Sequence, residues 1–311
     1  MSLIGAYHNL RNDIGEEILS SPETQGVQVE SLMQRPLTLP HDARLDEAMS
    51  KLQEPQSHCI LILREDGRLL GVFREEDVLK KVFWSGVKGD EPVSHFIEQE
   101  FCTLPTNADM SEVLNIMGQR GLRYLPIVDQ DGFPKGIFSI RELIYFISER
   151  TKMVDGRFQV TQSGTFGDLE SAIVEVLNLP ITFPLSRYGY NDVVRMKTGD
   201  SVNKAIELFR DSSQAAGLMY SSGKLHGLFR LRDLPFRVLH QRSDLGDLPA
   251  EDFMTPLSEA IKEEETIGAG LDQMARLQVL YLHYQVGQES EGLVTGGGIV
   301  SYLYDHIHDD L

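Results

Sequence analysis

Basic residues are scarce in this sequence: 29 Lys and Arg stand against 47 Asp and Glu, a formal net charge of −18 over 311 residues. Such an acidic chain repels phosphate backbones at long range, which argues against nucleic acid or an anionic membrane as partner. It leaves room for a small anion in a pocket that supplies its own cations. Cysteine is nearly absent. Cys59 and Cys102 both sit in apolar, strand-like surroundings with no metal spacing, so they read as buried free thiols rather than a disulfide framework. No apolar run approaches the ~18 residues of a membrane span, and Met1-Ser2-Leu3 opens no signal peptide, so a cytoplasmic protein is expected. Catalytic signatures are missing too. No motif pairs a nucleophile with a base, and Thr295-Gly296-Gly297-Gly298 lacks the Lys-Ser/Thr that completes the phosphate loop of nucleotide hydrolases. His306 and His308 beside Asp309 and Asp310 read as a frayed acidic terminus rather than a metal site. No enzyme and no required cofactor are expected.

What the sequence does contain is a repeat. Gly71-Val72-Phe73-Arg74-Glu75-Glu76-Asp77 returns as Gly136-Ile137-Phe138-Ser139-Ile140-Arg141-Glu142, Gly227-Leu228-Phe229-Arg230-Leu231-Arg232-Asp233 and Gly292-Leu293-Val294-Thr295-Gly296-Gly297-Gly298. Each copy reads as a short buried strand, a turn and a helix start, whose free backbone N–H groups can receive an anion. The first two glycines are 65 residues apart and so are the last two, whereas 91 residues separate the middle pair. A second marker, the amphipathic helical pattern opening at Leu45, Met110, Val202 and Ile267, precedes its glycine by 25 or 26 residues every time. The chain is therefore two pairs of repeats with an insertion of about 26 residues between them.

In chain order, residues 1–26 form an amphipathic lead-in helix, 27–86 the first repeat, 87–150 the second, 151–186 an ordered linker, 187–243 the third repeat and 244–311 the fourth. Each repeat reads as strand, helix, strand, strand, helix. In the first, Thr38 and Pro40 belong to an extended segment, and a helix over 45–52 carries Leu45, Ala48, Met49 and Leu52 on one face, with Asp42 or Asp46 as its cap. Strands over 59–63 and 69–73 follow, joined by an Asp66-Gly67 hairpin, then a helix from Glu75 that includes Val78, Leu79 and Val82. The linker is too apolar for a free tether; it predicts a strand over 157–161 and a helix over 168–177 capped by Asp168. The fourth repeat predicts helices at 253–254, 267–277 and 299–307, with a strand over 279–284.

This order of elements, with the Leu125-Pro126-Ile127-Val128-Asp129 strand and the Gly136-Ile137-Phe138-Ser139 strand, resembles CBS domains, two of which make one Bateman module. The resemblance implies an α+β fold of four CBS repeats paired into two Bateman modules, similar in domain count to the gamma subunit of AMP-activated protein kinase. It implies that the modules stack through helical faces, with Val82, Phe83 and Trp84 as candidates for that face, and it allows a homodimer. The implied ligand is an adenosine nucleotide in a cleft between paired repeats, with an unknown effector protein as partner. In nucleotide-binding relatives a Ser or Thr ends the last strand, and an Asp three residues later receives the ribose hydroxyls. Here Asp77 and Asp233 hold the Asp place behind Arg74 and Arg230, whereas Ser139 and Thr295 keep the hydroxyl but are followed by Glu142 and Gly298. The resemblance therefore gives at most one well-formed site per module. The cleft of the first module is expected to gather Thr38, Pro40 and Asp77 with Arg74, Arg123 and Ser139. Arg230, Asp233 and Thr295 are the counterparts in the second. The alternative is a ligand-free scaffold whose degenerate sites stay empty.

Overall fold

In the computed structural model, the described residues are 27–54, 59–83, 85–184, 193–210, 212, 216–233, 245–257, 260–286 and 290–309. The lead-in helix expected over 1–26, Trp84 and Arg187 lie outside them.

Repeat 1 contributes β1 (Thr38–Pro40), α1 (Leu45–Leu52), β2 (Cys59–Leu63), β3 (Leu69–Arg74) and α2, which makes one α-turn over Glu75–Asp77 and widens to π geometry over Val78–Val82. Repeat 2 contributes β4 (Leu104–Pro105), α3 (Met110–Arg120), β5 (Tyr124–Val128), β6 (Pro134–Ser139) and α4 (Ile140–Arg150). The linker holds β7 (Thr151–Val154), β8 (Arg157–Val160) and α5 (Glu170–Leu177). Repeat 3 is β9 (Val194–Lys197), α6 (Val202–Arg210), β10 (Ala216–Ser221) and β11 (Lys224–Arg230). Repeat 4 is β12 (Thr255–Pro256), α7 (Ile267–Leu277), β13 (Tyr281–Val286), β14 (Ser290–Thr295) and α8 (Gly296–Asp309). The fold class is α+β, as the repeat pattern predicts.

Within repeats 1 and 2 a parallel strand precedes an antiparallel hairpin, in the orders β1-β2-β3 and β4-β5-β6. The hairpin turns carry Gly67 and Gly132 at φ of +83° and +86°, the left-handed region where a side chain is strained. The two sheets face each other, with Cys59, Leu61, Leu69 and Val72 packed on Phe101, Tyr124, Val128 and Ile137. A matching interface in the second pair joins Val193, Ala216, Leu218 and Leu228 to Leu293 and Tyr281.

The pairing goes beyond sheet against sheet. Gln34, ahead of β1 in repeat 1, bridges Ile137 in repeat 2, and Glu98, ahead of β4 in repeat 2, bridges Val72 in repeat 1. The segments are thus exchanged reciprocally. This exchange explains the marker glycines: a Cβ on Gly71 would stand 2.6 Å from the Glu98 carbonyl oxygen, one on Gly136 2.3 Å from the Met33 sulfur, and one on Gly227 2.7 Å from the Met254 sulfur. A leading turn docks in the same way. Val29 N–H donates to the Ala108 carbonyl, Val93 to Ala43, Ala250 to Asp200 and Ile181 to Glu265, each acceptor lying two residues before a helix.

These exchanged segments also replace the expected helix caps. Asp42 does not cap α1; the Asp46 Oδ1 accepts the first-turn Glu47 N–H at 2.8 Å, and the Leu45 and Asp46 N–H groups donate to the carbonyls of Glu91 and Gly89. The Asp168 cap is not made either, because a 3-10 turn (Gly167–Leu169) leads directly into α5. The expected helix at 253–254 is a 3-10 turn over Ala250–Phe253 followed by β12, which adds a fourth strand to the sheet of repeat 3. Helix α8 starts three residues before the expected 299.

Helices close the four repeats into a ring. One buried cluster joins α3 and α4 of repeat 2 to α7 and α8 of repeat 4, with the linker residues Phe158, Ile173, Val176, Leu177 and Ile181 inside it. A second cluster joins repeats 1 and 3, with Val82 and Phe83 packed among Val202, Ile206 and Phe209. Small residues permit the closest approaches: a Cβ on Gly118 of α3 would stand 2.3 Å from the Tyr304 Cβ of α8. The linker forms an antiparallel β7–β8 hairpin whose Phe158 side chain lies against Gly268 of α7. Asn178 accepts from the Phe158 N–H at 2.8 Å and donates to the Phe158 carbonyl at 2.9 Å, closing the outer edge of β8.

At Gly71 the obstructing atom is backbone, and at Gly136 it is a flexible thioether. Gly71→Ala is expected to lower unfolding free energy by about 1–3 kcal/mol, and Gly136→Ala by less, in urea titrations.

Candidate functional site

The junction between the last strand and the closing helix differs chemically between odd and even repeats, and those of repeats 1, 2 and 3 reach the middle of the ring. In repeat 1, β3 ends at Arg74 and α2 begins with three acids. Asp77 turns back: its Oδ2 accepts the Arg74 N–H at 2.9 Å and the Arg74 Nε at 3.1 Å, while Lys81 Nζ lies 3.2 Å from Oδ1. This carboxylate, 2% exposed, is engaged by its own repeat. In repeat 2 the same fold-back uses Ser139 and Glu142. The Ser139 Oγ accepts from the Arg141 N–H, and the Glu142 carboxylate accepts from both the Ser139 N–H and its hydroxyl. In repeat 4 the Thr295 Oγ1 accepts from the Gly298 N–H at 2.9 Å, so Thr295 caps α8.

Between repeats 1 and 2 lies a cavity of about 260 Å³, near the lower end of the range for small-molecule sites (roughly 300–1,000 Å³). Leu79, Phe101, Leu122 and Pro126 give it apolar wall; its charged lining is Arg74, Lys80 and Arg123 balanced by Glu76, Glu98 and Glu100. Phe209 and Leu231 of repeat 3 form its far side. Arg123 is half-buried, its guanidinium paired with Glu76 across the repeat boundary and 5.8 Å from the centre of the Tyr124 ring. Burial works against that charge, but the Tyr124 and Tyr281 hydroxyls and the Glu75 carboxylate outweigh it and raise the Arg123 pKa. Burial also pushes the Tyr124 hydroxyl well above its ordinary range.

Arg123 and Tyr124 line a second, smaller cavity as well, about 40 Å³, where all four repeats meet. Repeat 1 sends Glu75, repeat 2 Arg123 and Arg141, repeat 3 Arg230 and Arg232, and repeat 4 Tyr281. Four arginines thus surround one point in a chain of net charge −18. The Arg141 Nε is buried there with no hydrogen-bond partner. Glu75 in the same wall and Glu76 on Arg123 offset part of this positive charge, and a small anion would add to that balance.

Of the residues singled out in the sequence, Arg74 and Arg123 come together at the larger cavity, and Arg230 joins Arg123 at the smaller one. Thr38 and Pro40 lie on the outer strand β1, paired with Leu61 and Leu63. Neither they, nor Asp77, Ser139 and Thr295, line either cavity. Asp233 ends the 3-10 turn Leu231–Asp233, and its side chain lies outside the described residues. Missed in the sequence were Arg141 and Arg232. Both fall five residues after their marker glycines, so alignment of the four junctions would have found them.

The CBS domain family matches residues 29–83 and 93–149. The first two repeats are CBS domains. Relatives include an uncharacterised 17.7 kDa protein of Acidianus ambivalens, 28% identical over 97 residues (31% of this chain), and an uncharacterised 33.4 kDa protein of Thermofilum pendens, 22% identical over 214 residues (68% of this chain). These alignments span 58% and 65% of the two relatives' lengths. Among solved structures, protein MJ1225 of Methanocaldococcus jannaschii, proposed as an archaeal homologue of g-AMPK, superposes with a TM-score of 0.69 at 15% identity, covering 89% of this chain and 99% of that one. That likeness extends the CBS fold and its pairing to repeats 3 and 4. Among the described residues, no helix is long and apolar enough to cross a membrane.

Removing the Asp77 carboxylate leaves the Arg74 N–H without its acceptor and takes one carboxylate from both Arg74, which keeps Glu98, and Lys81. Asp77→Ala is expected to lower unfolding free energy by about 1–3 kcal/mol by urea denaturation. Burial also raises the pKa of both thiols, and Arg120 only partly offsets it at Cys102. A thiol reagent at neutral pH is therefore expected to label half-buried Cys102 slowly, and Cys59 only after unfolding.

Proposed function

We infer that this CBS-domain protein is a nucleotide-sensing regulator that holds an adenosine nucleotide at the junction of repeats 1 and 2 and thereby alters its hold on a separate effector protein. The observation that carries this inference is that Arg123 belongs to both cavities. A ligand with its flat ring against Phe101, Leu122 and Pro126 can reach the four-arginine junction with its phosphates without leaving the protein. Among the described residues, Arg123 is the charged group that lines both cavities. Arg141 and Arg123 offer donors for phosphate oxygens, and each charge-assisted contact contributes about 1.5–3 kcal/mol.

The mutual engagement of Arg123 with Glu76 and of Asp77 with Arg74 and Lys81 favours a second reading, a scaffold with no ligand. Calorimetry with AMP, ADP and ATP separates the two. Binding by the wild-type chain, weakened about ten- to a hundredfold by Arg123→Gln, is expected for the regulator. Absence of binding to all three nucleotides would establish the scaffold, and binding indifferent to Arg123→Gln would move the ligand elsewhere.

A further inference from the structure

The four junction sequences align without gaps, and the residue five places after each marker glycine is Glu76, Arg141, Arg232 and Gly297. Arg141 and Arg232 enter the four-repeat cavity from this place. Repeat 1 alone carries an acid there. Its carboxylate does not turn to solvent: Glu76 Oε1 pairs with Arg123 of repeat 2, the cation shared by both cavities. The other oxygen, Glu76 Oε2, is buried with no hydrogen-bond partner. A buried unsatisfied acceptor is costly, so this contact holds Arg123 at a penalty that leaving it would relieve.

We propose that Glu76 is a built-in competitor for the ligand: its carboxylate is the resident anion on Arg123, and a nucleotide phosphate binds by displacing it. The proposal rests on the nucleotide-binding role inferred above and adds its regulation. The exchange is one anion for another on the same guanidinium, so the cation is never left bare. The displaced carboxylate belongs to α2, which keeps α geometry for a single turn before it widens to π over Val78–Val82, where the Phe83 N–H reaches back to the Val78 carbonyl at 2.9 Å. Such wide turns recur at functional sites because they accommodate local adjustment. The far end of α2, Val82 and Phe83, packs into the cluster shared with repeat 3. Release of Glu76 is therefore felt at the contact between modules.

A resident competitor lowers apparent affinity by the fraction of molecules in which it is detached. The test is calorimetric titration of AMP, ADP and ATP into the full chain as wild type, Glu76→Gln, Arg123→Gln and the double variant. Glu76→Gln is expected to tighten nucleotide binding by about tenfold, and the gain is expected to vanish in the Arg123→Gln background. Wild-type binding that Glu76→Gln leaves unchanged or weakens would overturn the competitor role while leaving nucleotide binding intact. No binding by either protein would overturn both. Binding by Glu76→Gln alone would support both. Thermal unfolding without ligand verifies folding; if Glu76→Gln does not fold, Glu76→Asp, one methylene shorter, is expected to tighten binding too, and its failure to do so counts equally against the competitor.

Discussion

One backbone hydrogen bond, made four times, underlies the architecture. The leading turn of each repeat donates an N–H to a carbonyl two residues ahead of its partner's first helix, from Val29, Val93, Ala250 and Ile181. A backbone donor and acceptor buried without partners cost free energy, so neither half of a pair is complete alone. The same segments cap α1, α6 and α7 through the carbonyls of Glu91, Leu248 and Leu179. They also cross Gly71, Gly136 and Gly227 so closely that a side chain there would collide. Pairing is thus written into the backbone before any side chain contributes, and the facing sheets add apolar burial to a register already set.

Once pairs exist, the ring follows from what each pair leaves uncovered. Helices of repeats 1 and 2 present apolar faces that match those of repeats 3 and 4, and two continuous buried clusters result. Closing the ring brings the strand-to-helix junctions of repeats 1, 2 and 3 to one centre, beside the start of β13 in repeat 4. Their charges therefore meet although they are far apart in the chain. An acidic exterior and an arginine-lined centre make complementary use of a limited stock of cations.

Much of this was legible in the residues. The apolar stripe Leu45, Ala48, Met49, Leu52 marks α1 to its ends, and the helix over 267–277 is likewise recovered, because local periodicity fixes both. The 65-residue spacing carried the pairing. Less visible was why the glycines recur, since the atoms that demand them belong to a different repeat. The cap expected from Asp42 was misassigned for the same reason, since main-chain carbonyls of Glu91 and Gly89 serve α1 and have no sequence signature, whereas the Asp168 cap gave way to a 3-10 turn. Among candidate site residues, Arg74, Arg123 and Arg230 were visible as cations in the right segments. Arg141 and Arg232 became meaningful only when the ring closed, and the partner of Arg123 is a carboxylate in another repeat.

The linker hairpin carries a mechanical consequence. Asn178 bonds both main-chain groups of Phe158, as a neighbouring strand would, and the Phe158 ring fills the space left by Gly268. The described part of the insertion, packed on α7 and joined to Glu265 through Ile181, consequently behaves as a strut, not as a length of rope. Rope lets two bodies drift apart and absorbs displacement as slack. A strut transmits it, so a shift at the first pair reaches the second as torque on a shared frame.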